Sequence, residues 1–242
     1  MKKKFLLVSE GPTDHVIIKE VAKTISSATG KEIEVIELSP QRDATSGTYP
    51  GHGWNGIQAW CKKFSKKTPE SLSHLPPTAQ QYLMRQNWRA LLAFDSADGL
   101  IIQLDTDIAE QLTELKNIQP GECRKTHCSE SVLAWLNESS ISTELYLALT
   151  SHSIETWILA THAPSDDVFK DLSANFNYEE ITDVEDRLLS MGYASKFKRG
   201  RNRIRKTPYH IYIPYAQSIA ENMSAVRQRC ESADNLCKHF ES

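Results

Sequence analysis

Leu100-Ile101-Ile102-Gln103-Leu104-Asp105-Thr106-Asp107 is the stretch on which the fold turns. A short apolar run stops at an acid, skips one residue and places a second acid. Such a run reads as a buried strand. Open α/β sheets hold their ligands outside the carboxyl ends of the strands, and Asp105 and Asp107 fall there. Two carboxylates this close repel unless a proton or a cation compensates them, and a hard cation such as Mg2+ takes oxygen ligands. The plain alternative is a polar loop after a strand, so the weight of the pair depends on partner acids elsewhere in the chain.

The 242 residues suit one large domain, or a core domain with an appendage. With 40% hydrophobic and 24% charged residues, the balance is that of a soluble globular protein. No apolar run has the length needed to cross a bilayer. The start, Met1-Lys2-Lys3-Lys4-Phe5-Leu6-Leu7-Val8, is basic and then too briefly apolar for a signal peptide, so it reads as a first strand in a cytoplasmic protein. Five cysteines do not make a disulfide framework. Cys123 and Cys128 flank His127, and Cys230 and Cys237 lie near His239, but without a Cys-x-x-Cys pair reduced thiols are expected rather than a zinc site. The formal net charge is −3, so contact with a nucleic acid has to come from a local patch.

Outward from the opening stretch, residues 4–9 read as a strand, followed by a turn with Thr13 as helix N-cap and a helix carrying Val16, Ile17, Val21 and Ile25. Gly30 closes that helix, and Glu32 to Leu38 alternates as a strand does. This is a βαβ unit with parallel strands and a right-handed crossover. Residues 39–56 read as a loop; helices are expected near 56–66 and 78–94, making 40–95 a helical insertion. Trp54, Trp60 and Trp88 within it are expected in a core rather than as base-stacking platforms. Helices follow over Ile108–Leu115 and near 129–138, then a fourth strand over Glu144–Thr150 and a helix over Ser151–Ala160. Beyond 164 the chain reads as helical and polar, with no convincing strand. The expected organisation is an α/β core over 1–162, with about four parallel strands flanked by helices, and a helical C-terminal region over 163–242.

Acids recur at equivalent places in this scheme. Glu10 follows strand one, Asp105 and Asp107 follow strand three, and Glu155 follows strand four. In a parallel sheet those ends share an edge, so convergence is expected. Asp14 is placed one helical turn after Glu10, Glu110 shortly after Asp107, and Ser153 offers a hydroxyl two residues before Glu155. Such oxygens suit one or two Mg2+ or Mn2+ ions, which can clamp the attacking and leaving oxygens of a phosphoryl displacement. The competing reading is that each acid merely favours a helix N-terminus. A serine triad around His152 is disfavoured, because nothing resembles a nucleophile elbow.

Ser9-Glu10-Gly11-Pro12-Thr13-Asp14 after a strand, then Leu104-Asp105-Thr106-Asp107, resembles the Toprim domain shared by primases, topoisomerases and the overcoming-lysogenization-defect (OLD) family of nucleases. Ser153-x-Glu155 after the next strand is similar to the OLD-type arrangement. The tail, with Tyr215-Ala216, Ile219-Ala220, Arg229-Cys230 and Phe240, resembles small stand-alone Toprim proteins often encoded beside an ABC-type ATPase. The resemblance covers 3–38 and 98–162 well, the tail loosely and 40–95 not at all. It implies a Rossmann-like Toprim sheet and a two-metal nuclease acting on DNA or RNA, the effector of a bacterial anti-phage system. Glu10 is implied as acid/base or metal ligand, with Asp14, Asp105, Asp107, Glu110, Ser153 and Glu155 holding metals. OLD proteins fuse an ATPase to this domain; with no Walker motif here, an ATPase is expected in trans. The other functional class is a non-catalytic regulatory or binding subunit of an ATPase complex.

One basic segment stands out. Residues 196–206 hold seven cations in eleven positions: Lys196, Lys198, Arg199, Arg201, Arg203, Arg205 and Lys206. Clustered cations neutralise phosphates and release counterions, so this segment is expected to bind nucleic acid, against the alternative of a solvated loop or partner surface. Lys206, anchored by the aromatic residues from Tyr209 onward, is the candidate for stabilising charge on the reacting phosphorus.

Overall fold

The computed structural model describes residues 2–198 and 200–242; Arg199, one of the basic residues singled out above, lies outside the described residues. The regular elements are β1 (Lys2–Val8), α1 (Pro12–Thr29), β2 (Glu32–Ser39), α2 (Trp54–Lys63), α3 (Pro77–Arg85), α4 (Trp88–Asp95), β3 (Gly99–Asp105), α5 (Arg124–Leu136), β4 (Leu145–Thr150), α6 (Glu155–Leu159), α7 (Val184–Ser190), β5 (Ser195–Lys198), β6 (Arg201–Ile204), α8 (Tyr212–Glu221), α9 (Met223–Arg229) and α10 (Glu231–Glu241). Contacts group them into two compact units, one of residues 1–11 and 32–149, the other of 12–31 and 150–242. Among the described residues no helix is long and apolar enough to cross a membrane.

The first unit is built on a four-stranded parallel sheet of order β2-β1-β3-β4. This is an α/β arrangement compatible with a Rossmann-like fold. All seven residues of β3 are buried, as its continuous apolar run requires. Strand periodicity sends Leu6, Val8, Leu100, Ile102 and Leu104 to one face, where they meet Ile57, Trp60 and Cys61 of α2, Trp88 and Leu92 of α4, and Cys128, Val132 and Trp135 of α5. Trp60 and Trp88 are therefore core residues, and Trp54 packs partly buried against them, as expected. Leu7, Ile101 and Gln103 alternate to the other face and are equally buried.

Several boundaries differ from the sequence reading, each for a local reason. Pro12 takes the first position of α1, where its missing N–H costs nothing, so Thr13 lies inside the helix and is not its cap. Glu10 therefore lies outside the helix that carries Asp14. The helix expected over 78–94 is two helices, because the Asn87 side chain accepts from the Ala90 N–H at 3.0 Å and starts α4 afresh. In place of a helix over Ile108–Leu115 there is a 3-10 turn over Thr106–Gln111. Its buried apolar set, Ile108, Ala109 and Leu112, spans little more than one turn and is too short to hold a longer helix. The helix expected near 129–138 begins earlier, at Arg124, and ends at Asn137, which adopts φ 56°. Gly30 does terminate α1, at φ 69°.

In the second unit α1 packs on α8 and α10. Trp157 of α6 is buried and donates its indole N–H to Ser232 Oγ at 2.9 Å. Arg187 of α7 is buried and forks onto both carboxylate oxygens of Asp171 at 2.8 and 2.7 Å. The basic segment corrects the expectation of no strand beyond 164. Ser195–Lys198 and Arg201–Ile204 form an antiparallel hairpin, with Lys198 opposite Arg201 and Gly200 at φ 80° in the turn. A glycine at φ > 0 in a two-residue connection is the local signal that favours the hairpin over a loop.

Gly56 in α2 is a close-approach glycine: a Cβ there would lie 1.5 Å from the carbonyl oxygen of Gly51. Gly56→Ala is expected to destabilise the protein by about 1–3 kcal/mol, read as a lower midpoint in thermal or urea unfolding.

Candidate functional site

In the first unit, β1 and β3 are neighbours, while the chain leaves them for opposite edges of the sheet through β2 and β4. Their carboxyl ends therefore flank the switch point at which open α/β sheets bind ligands. Glu10 follows β1 and Asp105 ends β3. The Asp105 backbone N–H donates to Glu10 Oε1 at 2.8 Å, tying the two acids across the strand boundary. Gln103, 0% exposed, makes a second tie. Its Oε1 accepts from the Glu10 N–H at 3.1 Å, and its Nε2 donates to Asp105 Oδ1 at 2.8 Å. One amide thus orients both acids. The Gly53 N–H donates to the Glu10 carbonyl at 2.6 Å, fixing the loop before α2 on the same turn.

Asp107 and Glu110 lie in the 3-10 turn and are exposed. Glu110 is ion-paired with Arg124 at the start of α5. The Cys128 thiol nearby is pushed up to about 12, by burial first, and the charges of Glu10, Asp107 and Glu110 add to that against the opposing pull of Arg124. These three carboxylates therefore share one negative field. All five cysteines are free thiols, Cys123 alone being exposed.

In the second unit, the turn ahead of α6 corrects the expected helix over Ser151–Ala160. His152 stands at φ 56°, and the helix runs only from Glu155 to Leu159. A histidine in the left-handed region marks backbone held against its preference. Glu155, 4% exposed, accepts from Tyr212 Oη at 2.7 Å and meets Lys206 Nζ at 2.5 Å, both at Oε1. Burial pushes the Glu155 carboxyl up, but the Lys206 charge and hydrogen bonds from Lys206, Tyr212 and Ser153 outweigh it and hold the carboxyl below its usual range. Burial and then the Glu155 charge push the Tyr212 phenol far up, with Asp14 adding to the effect. Asp14 itself is buried in α1. Ser153, Glu155 and Lys206 are thus brought together, with Asp14 in electrostatic reach of Tyr212.

The rest of the basic segment lies on the hairpin. Lys196 is opposite Arg203, and Lys198 opposite Arg201. Arg203 is spent on Glu185 at 2.6 Å, and Arg205 Nε donates to the Thr207 carbonyl at 2.9 Å.

The donor set of Glu10, Asp105 and Asp107 is carboxylate oxygen, the chemistry that suits a hard divalent cation. Glu110 and Glu155 already carry Arg124 and Lys206, so a cation at either has to share or displace its partner. Among the described residues no three His, Cys, Asp or Glu side chains are arranged to hold a metal ion. Sequence reasoning missed Gln103 and Tyr212. Gln103 had a signal, being the one polar residue inside a buried apolar run, where a polar group requires partners. Tyr212 had none, since its partners lie 57 residues away in sequence.

Gln103→Leu removes a partner from the Glu10 N–H and from Asp105 Oδ1 together, and is expected to lower stability in urea unfolding by about 1–3 kcal/mol. Lys206→Met leaves the buried Glu155 charge without its cation and is expected to destabilise. Adding Glu155→Gln in the same chain is expected to recover most of the loss, read as a double-mutant cycle of unfolding midpoints. Compared with protein-family models, curated proteins and solved structures, the chain matches none.

Proposed function

We propose that this protein is a Toprim-type phosphodiesterase that hydrolyses DNA or RNA in the bacterial cytoplasm, with Mg2+ or Mn2+ as its cofactor. The observation that carries the reading is the Glu10–Gln103–Asp105 arrangement, two carboxylates oriented by one buried amide at the switch point of a parallel sheet. Structural acids at helix starts need no such amide between them.

In this reading Glu10, Asp105 and Asp107 hold the cofactor, with Glu110 as a further oxygen donor. The bound cation supplies charge neutralisation at the scissile phosphate. The chain's own residues do the rest. Gln103 keeps Glu10 and Asp105 in fixed orientation, so little reorganisation is needed as charge builds. Lys206, held by Glu155 and the turn after β6, carries a positive charge suited to phosphate oxygens. The basic hairpin collects the phosphate backbone. A separate ABC-type ATPase would restrain or deliver the nuclease, as an effector of anti-phage defence.

A second reading, a non-catalytic regulatory subunit of an ATPase complex, draws on one observation: Glu155 and Glu110 are already compensated by Lys206 and Arg124. One experiment separates the two. Plasmid, single-stranded DNA and tRNA are incubated with the protein and Mg2+ or Mn2+, with EDTA as the control. Metal-dependent cleavage reduced at least about 100-fold by Glu10→Ala and by Asp105→Ala is expected. Cleavage that both substitutions leave unchanged defeats the catalytic assignment.

A further inference from the structure

The β5–β6 hairpin has two unlike faces. Strand alternation puts Lys196, Lys198, Arg201 and Arg203 on one face and Phe197 with Asn202 on the other, Phe197 standing directly opposite Asn202. Like charges directly opposite one another destabilise a two-stranded ribbon, so the pairing of Lys198 with Arg201 does not serve the hairpin itself. Arg203 is neutralised by Glu185, whereas Lys196 and Lys198 have no acidic partner among the described residues. Phe197 is 76% exposed, a large apolar ring held out from a strand in the most basic part of an otherwise acidic chain. The root of the ribbon is fixed. Ile204 is buried, its N–H donates to Glu185 Oε1 at 2.7 Å, and the Arg205 N–H donates to the Ala194 carbonyl at 2.8 Å. The ribbon is thus an anchored platform.

We propose that this hairpin binds single-stranded nucleic acid, with phosphates along the Lys196–Lys198–Arg201 face and an unpaired base stacked on Phe197 beside Asn202. The proposal deepens the nuclease reading and rests on it for the purpose of binding. A polyanion relieves the cation–cation repulsion on one face, and a base covers the exposed ring on the other. The occupant is single-stranded because a base inside a duplex has both faces covered by its neighbours and offers none to a phenyl ring. The Asn202 amide beside the ring can donate to and accept from a base edge. Two residues after β6 comes Lys206, against Glu155, so a strand on the ribbon is led to that carboxylate within the same unit.

The test is fluorescence anisotropy with labelled oligo(dT), oligo(U) and a duplex of equal length, on the full chain in EDTA so that no cleavage occurs. Phe197→Ala is expected to weaken binding to at least one of the single strands by about 5- to 100-fold with the salt dependence unchanged, and to leave the duplex nearly unaffected. Phe197→Trp is expected to retain or improve binding. Lys198→Ala is expected to shallow the salt dependence of log K by about 0.7 on the single strand. Phe197→Ala binding single strands as the wild type does, or losing single strand and duplex equally, overturns the proposal. The first result leaves Phe197 as a protein-contact residue. Selective loss in Phe197→Ala alongside cleavage that Glu10→Ala and Asp105→Ala both leave unchanged would sustain the ribbon and defeat the nuclease reading. Cleavage abolished by Glu10→Ala alongside a silent Phe197→Ala would do the reverse.

Discussion

A carboxylate withdrawn from water has to be compensated, and this constraint shapes both acidic groups of the protein. Leaving a buried charge unpaired costs more than a typical hydrogen bond returns, so each acid recruits partners from its surroundings. The two groups meet the demand differently. At Asp105 and Glu10 the donors include a backbone N–H and the Gln103 amide, which orient the carboxylates. Glu155 uses a lysine, which cancels the charge itself, with a phenol O–H as a second donor.

The difference has a chemical consequence. Neutral donors orient a carboxylate without cancelling its charge, whereas a lysine beside it does cancel it. An acid held by Lys206 is an electrostatic partner first and a ligand only if the lysine moves. Lys206 in turn sits at the end of the basic hairpin, two residues beyond β6. The charge that balances Glu155 is therefore attached to the basic hairpin, and Glu185 fixes that element at its root.

Much of this was legible in the sequence. The apolar run ending at Asp105 specified a buried strand, and its fully buried pattern follows. The four-stranded parallel sheet was readable because hydrophobic alternation and the βαβ pattern are local signals. Gly30 was legible because a helix end needs a residue tolerant of φ > 0. The misses are also local contests. Asn87 restarted a helix that periodicity ran through, and Pro12 displaced Thr13 as the helix start. The hairpin escaped because its cations mask strand alternation; only Gly200 in the turn betrayed it.

By itself the sequence determined the α/β class, the acids at the strand ends and the run of cations, since each is written in neighbouring residues. Only the tertiary structure decided which groups compensate those acids. Gln103 lies 93 residues from the Glu10 N–H it accepts, and Tyr212 lies 57 from Glu155. Such partners are selected by burial, because a polar group enclosed by the fold must be met by whatever donor the folded chain carries there. No spacing rule along the chain encodes that choice.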